Sequence, residues 1–159
     1  MKKMARVEIK SVAQTDNAGL FTICFEGESF TEFQKFILSN KEAYSRGLGV
    51  ILRVINTMMN ATGYLERYFR PEGKMRDRVC ALPIESGKLR LYCLRLSDQV
   101  LIVGNGGAKK VRKYEEDEEL NGYVVTLQNL DRALNIAVKK GNVTIEERRI
   151  EGEDLKFDI

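Results

Sequence analysis

The stretch RLYCLRLSDQVLIVGNGGAKK, residues 90–110, decides how the chain is read: two apolar runs flank Ser97-Asp98-Gln99, and a glycine cluster and two lysines follow. Within KLRLYCLRL (88–96), Leu89, Leu91 and Cys93 face one way while Tyr92, Leu94 and Leu96 face the other. Successive side chains of a strand point to opposite faces, so a run that is apolar on both parities needs cover on both sides. VCALPI (79–84) precedes it and QVLIVG (99–104) follows, joined through Glu85-Ser86-Gly87 and Ser97-Asp98. The three runs predict an antiparallel meander.

Toward the N-terminus, VEIKSV (7–12) alternates and can pair with LFTICFEG (20–27) across the turn-rich AQTDNAG, which predicts a hairpin. Ser29-Phe30-Thr31-Glu32 fits a capping box ahead of a stripe formed by Phe30, Phe33, Phe36 and Ile37. A second helix follows, with Leu48, Ile51, Leu52, Ile55, Met58 and Met59 at helical spacing and therefore facing the core. Gly63 ends it, and Pro71 stops the short turn that carries Tyr64, Leu65, Tyr68 and Phe69. Beyond the meander, Leu120, Tyr123, Val124, Leu127, Leu130, Leu134 and Val138 continue a helical stripe over 115–140, capped by Gly141. A strand over 143–148 and an acidic tail complete the chain.

No internal repeat, low-complexity tract or linker divides the sequence, so we read one α+β domain, an antiparallel meander sheet packed with helices. Its parts are an N-terminal hairpin-plus-helix extension (1–46), a helix-sheet-helix core (47–141) and a C-terminal strand with its tail (142–159). At 159 residues, 43% hydrophobic and 31% charged, the chain has ample material for a conventional core. Net charge is only +3, with 26 Lys plus Arg against 23 Asp plus Glu, so any nucleic-acid binding has to come from a local patch. MKKMAR is followed by VEIKSVAQTDN and not by an apolar segment, and no window approaches the roughly 18 apolar residues of a membrane span. The expectation is a cytoplasmic protein that does not engage a membrane.

Cys24, Cys80 and Cys93 are odd in number, far apart and embedded in apolar runs, which predicts buried free thiols, with no disulfide framework and no zinc site. The absence of histidine excludes Ser-His triads and removes the commonest metal ligand. Nothing calls for a cofactor. Gly104, Gly106, Gly107 and Lys109 invite comparison with a phosphate loop, yet Ala108 separates glycine from lysine and no hydroxyl follows. We read the glycines as a turn needing positive φ at the strand's end. KKVRKY (109–114) places Lys109, Lys110, Arg112 and Lys113 beside Tyr114, the composition of a phosphodiester contact with a stacking ring, or simply of a solvated charged segment ahead of EEDEE (115–119). Arg76, Arg78, Arg90 and Arg95 gather around the meander, where they can clamp phosphate or pair with carboxylates.

The order of parts, a helical hairpin, then RVCALPIESGKLRLYCLRLSDQVLIVGNGGAKK, then a helix beginning in acids, resembles the RelE/HigB-like toxin superfamily of toxin–antitoxin systems, including its phage-derived Gp49-like branch. KLRLYCLR matches the family's Leu-Arg strand, VLIVGNGG its aliphatic strand ending in small residues, and Lys109-Lys110 its lysine pair. The resemblance covers about residues 51–141. It implies a metal-independent endoribonuclease acting on messenger RNA at the ribosome, held inactive by an antitoxin of the helix-turn-helix kind, with a homodimer as a further expectation. Carried over by motif, Arg90, Arg95, Lys109 and Lys110 would act at the scissile phosphate. Arg76, Arg78, Arg112 and Lys113 would hold RNA, and Tyr92 or Tyr114 would stack on a base. The alternative is a noncatalytic protein- or nucleic-acid-binding module on the same fold.

Overall fold

The doubly apolar middle strand is covered on both faces, as its alternation requires. The computed structural model describes residues 5–72, 77–83, 88–109 and 117–159. Strands β1 (Arg6–Gln14) and β2 (Gly19–Phe25) form the N-terminal hairpin, followed by helices α1 (Glu32–Asn40) and α2 (Ser45–Thr57). A π-helical turn at Met58–Thr62 closes α2. After the two-residue β3 (Arg70–Pro71) come β4 (Val79–Pro83), β5 (Leu89–Arg95) and β6 (Val100–Ala108), then α3 (Glu118–Lys139). A hairpin of β7 (Val143–Glu146) and β8 (Arg149–Gly152) precedes β9 (Lys156–Asp158).

The α+β class holds, and the meander β4-β5-β6 is antiparallel as expected. The sheet that contains it is larger and mixed, with the order β3-β4-β5-β6-β2-β1-β9. Strand β2 runs parallel to β6, with Gly19 opposite Val100 and Thr22 opposite Val103. The hairpin of the expected N-terminal part, 1–46, thus shares one sheet with the meander, lying between β6 and β9. The physical reason is that β6 is apolar on both parities and cannot be left as an edge. The expected C-terminal strand and acidic tail, 142–159, fold as β7, β8 and β9, and β9 returns to the main sheet beside β1, where Phe157 pairs with Val7.

Leu20, Leu82, Leu89, Leu91, Leu101 and Val103 pack against α1 and α2 through Phe36, Ile51 and Ile55, and against the π-helical turn through Met58. On the other face Ile23, Val79, Ala81, Tyr92, Leu94 and Ile102 pack against Leu120, Val124, Leu127, Leu130 and Leu134 of α3. Each fully buried aliphatic side chain stabilises the fold by about 1.5–3 kcal/mol relative to exposure. The cap of α1 differs from the sequence reading: Thr31 is the N-cap and Gln34 completes the capping box, two residues beyond the expected Ser29–Glu32 pair. Glu32 is instead drawn inside, where it accepts from Asn105 at 3.4 Å and pairs with Lys35 at 2.6 Å.

Cys80 and Cys93 stand opposite each other on β4 and β5, both buried and free. Burial pushes the Cys80 thiol up to about 12 and the Cys93 thiol well above its ordinary value. In the unfolded chain these thiols ionise near 8.5, so their contribution is complete below roughly that pH and is lost as pH rises toward the folded values. The urea midpoint is expected to stay flat through neutrality and to fall above roughly pH 9; a midpoint that holds steady through the alkaline range would contradict this.

Candidate anion-binding site on the sheet

The glycine cluster is strand, not turn. Gly104, Gly106 and Gly107 all lie within β6, and the described glycines with positive φ are Gly27, Gly63 and Gly141. The cluster builds a bulge. Cys93 pairs with Val103, yet Leu91, two residues back along β5, pairs with Gly106, three residues on along β6. Before the bulge Leu101 and Val103 face α1 and α2; after it Gly107 lies under Leu120 of α3, to which a Cβ would come within 3.4 Å. The extra residue has reversed which parity of β6 faces α3.

That reversal sets the candidate site. Arg90 shares its parity with Tyr92 and Leu94 and so lies on the α3 face, opposite Gly107. The Lys109 N–H donates to Lys88 O at 2.7 Å, which carries the register one residue further and sets the two lysines opposite each other on that same face. From the neighbouring edge, Arg70 pairs with Ala81, and the Glu72 N–H donates to Val79 O at 3.1 Å. Ala81 and Val79 both pack toward α3, so Arg70 and Glu72 stand on that face too. Burial first, and the neighbouring Arg70 second, pull the Arg90 guanidinium below its ordinary value, while Tyr92 and Glu72 act on it in the opposite sense. Arg70 and Lys88 are exposed, and Arg90, Lys109 and Glu72 half-buried. Among the described residues, no carboxylate forms an ion pair with Arg70, Lys88 or Lys109. Close like charges favour an anionic ligand between them.

The remaining expected site residues are elsewhere. Arg95 stands at the far end of β5 on the opposite parity, its Nε donating to Tyr64 O at 2.6 Å and its guanidinium paired with Asp98 and, at 3.7 Å, Glu66. It ties the β5-β6 turn to the segment after α2 and takes no part in the cluster around Arg90. Arg78 shares a cleft of about 300 Å³ with Arg95. Its Nε donates to Asp131 Oδ1 at 2.8 Å and its Nη2 to Asn135 at 2.9 Å. Asp131 is 3% exposed, so this pair anchors β4 to α3 and does not wait for RNA. Asp131→Ala is expected to destabilise the protein by about 2–3 kcal/mol, the loss of charged hydrogen bonds to a buried acceptor, read as a lower urea midpoint. Tyr92 is 1% exposed and part of the apolar layer under α3, which removes it as a base-stacking ring. Lys110, Arg76, Arg112, Lys113 and Tyr114 lie outside the described residues.

Arg70 and Glu72 were not singled out by the sequence reading. The signal was the dipolar Arg-Pro-Glu after Phe69, but nothing local says that a strand of two residues joins the meander on its α3 side. The start of α3 is closed by its own N-cap, with Asp117 accepting from Glu119 N at 3.0 Å and Leu120 N at 3.1 Å. Anion contacts here accordingly come from side chains. Among the described residues no group of His, Cys, Asp and Glu is arranged to hold a metal, and no helix is long and apolar enough to cross a membrane.

The fold defines an α+β protein that has, among the described residues, a mixed sheet and three α-helices, with Arg70, Lys88, Arg90 and Lys109 on the sheet face beside α3. No family model, curated protein or solved structure matches the chain.

Proposed function

We propose that the protein is a toxin-like, metal-independent endoribonuclease that lays the RNA backbone across Arg70, Lys88, Arg90 and Lys109. The observation that carries this reading is that strand register sets these four cations on the same α3-side face of the sheet, with Arg70 near enough to Arg90 to act on its charge. The resemblance of 51–141 to RelE/HigB-like toxins supplies the reaction class. In such a reaction the 2′-hydroxyl attacks the adjacent phosphorus and the 5′ oxygen leaves. Two guanidinium groups would stabilise the charge that grows on the phosphorane oxygens, and the Lys109 ammonium would protonate the leaving oxygen. An antitoxin partner that covers this platform would silence it, and the messenger RNA substrate would be met in the cytoplasm.

Induced expression is the test. The wild type is expected to arrest growth and shorten messenger RNA, purified protein to cut RNA in the presence of EDTA, and Arg90→Ala with Lys109→Ala to abolish both effects. Intact RNA and normal growth under strong induction would sink the nuclease reading. A second reading, a noncatalytic RNA-binding module, is favoured by the commitment of Arg95 to Asp98, which takes one expected reaction group out of the site. It predicts salt-sensitive binding with no cleaved product.

A further inference from the structure

Around the β3 edge of the sheet from Arg70, the outer side of α2 carries an open cleft. Val50, Arg53, Val54 and Thr57 share one stripe of that helix by their spacing, while Leu48, Ile51 and Ile55 on its other side are buried in the core. With Met58 and Tyr68, the residue that ends the short helical turn Glu66–Tyr68, the stripe lines a cleft of about 270 Å³. Val50, Val54 and Tyr68 are half-buried, and Arg53, Thr57 and Arg67 exposed. The Arg67 guanidinium lies 5.3 Å from the centre of the Tyr68 ring, and hydrogen bonds with Arg67 and Thr62 pull the phenol below its ordinary value. The ring is thereby held in place. Among the described residues neither Arg53 nor Arg67 forms an ion pair, and Glu66 next to Arg67 turns to Arg95 at 3.7 Å.

The cleft thus joins an apolar floor and an aromatic wall to two guanidinium groups without a carboxylate. An apolar peptide would leave those charges unused, and a cationic ligand would be repelled by them. A planar ring tethered to phosphates satisfies both parts, and bases of single-stranded RNA pack in this way on aromatic rings and arginine planes. The position agrees with such a ligand. Tyr68 and Arg70 are two residues apart, at most about 7 Å of chain, so a strand held at Arg70 reaches the cleft by rounding the edge strand β3. We propose that the cleft is a nucleobase subsite, in which one unpaired base of RNA inserts between Tyr68 and the stripe of Val50 and Val54 while its flanking phosphates meet Arg53 and Arg67. This rests on RNA being the ligand of the cations on the α3 side, and adds a contact that grips a base where they grip the backbone. The Thr57 hydroxyl, which both donates and accepts, serves any base, and every base has a face to stack, so the subsite holds RNA without selecting a sequence.

The chain has no tryptophan, so Tyr68→Trp in the full-length protein places a single indole at the subsite. Its fluorescence is expected to be quenched by a short mixed-sequence single-stranded RNA and left unchanged by an abasic oligomer with the same number of phosphates. In anisotropy titrations, Tyr68→Ala should bind the mixed-sequence RNA roughly 5- to 150-fold more weakly than wild type, the range for one stacked base, with an unchanged salt slope. It should bind the abasic oligomer as tightly as wild type does, and Tyr68→Phe should restore affinity for the mixed-sequence RNA. If Tyr68→Ala binds that RNA like wild type, or the indole is not quenched, the subsite is overturned. Arg70→Ala with Arg90→Ala in the same titrations then decides the rest, since a loss of affinity there leaves the RNA reading standing. A wild type that binds neither oligomer overturns the subsite and the RNA reading together.

Discussion

Gly106→Ala is expected to destabilise the protein by about 3–5 kcal/mol, enough to remove a large share of the stability of an ordinary domain. A Cβ at this position would lie 1.9 Å from Arg90 O and 3.0 Å from Leu91 Cα, both backbone atoms of the neighbouring strand. Neither can retreat alone, because Arg90 and Leu91 are held in the β5–β6 ladder on one side and the β4–β5 ladder on the other. The melting temperature should fall by roughly 10 °C or more for a chain of this size, and the variant should collect in the insoluble fraction. Gly122→Ala is the matched control: nothing lies within 4 Å of its Cβ on exposed α3, and alanine there should add up to about 1 kcal/mol. A Gly106→Ala protein that melts with the wild type would mean that β5 and β6 pair without the bulge, and the placement of Lys109 would fall with it.

The second large effect concerns binding. Arg70→Ala combined with Arg90→Ala is expected to weaken affinity for single-stranded RNA by roughly 10- to 100-fold at moderate salt and to flatten the salt dependence by about 1.4 log units per log unit of salt, two phosphate contacts at ~0.7 each. Fluorescence anisotropy with a labelled oligonucleotide at several salt concentrations reads both quantities. Arg78→Ala and Arg95→Ala are the comparison, since their guanidinium groups are engaged with Asp131 and Asp98. They should lower the urea midpoint while leaving the affinity of the folded protein close to wild type. Equal loss of affinity in the two pairs would show that RNA does not distinguish the α3 face from the far end of β5.

Much of the architecture could be read locally. The meander was legible because alternation on both parities of 88–96 demands cover on two sides, and Tyr92 and Leu94 do face α3 while Leu89, Leu91 and Cys93 face the helical pair. The site was legible in Arg90 and Lys109 and illegible in Arg70 and Glu72, which reach it from a strand of two residues whose pairing no periodicity announces. Arg95 misled because an arginine spaced along a strand carries no mark of whether Asp98 or a phosphate will claim it.

By itself, then, the sequence determined the meander, the N-terminal hairpin, the helices and the demand for a two-sided core, since these follow from side-chain period and turn residues within a few positions. Only the tertiary structure decided three further things: that β2 enters the sheet beside β6, that the segment from Gly104 to Gly107 carries a bulge in place of a turn, and that the bulge puts Lys109 on the same face as Arg90. All three depend on what a neighbouring strand leaves room for. A one-residue slip in register moves a side chain through the sheet to its other face, and that choice is made by the partner backbone and not by the residues that slip.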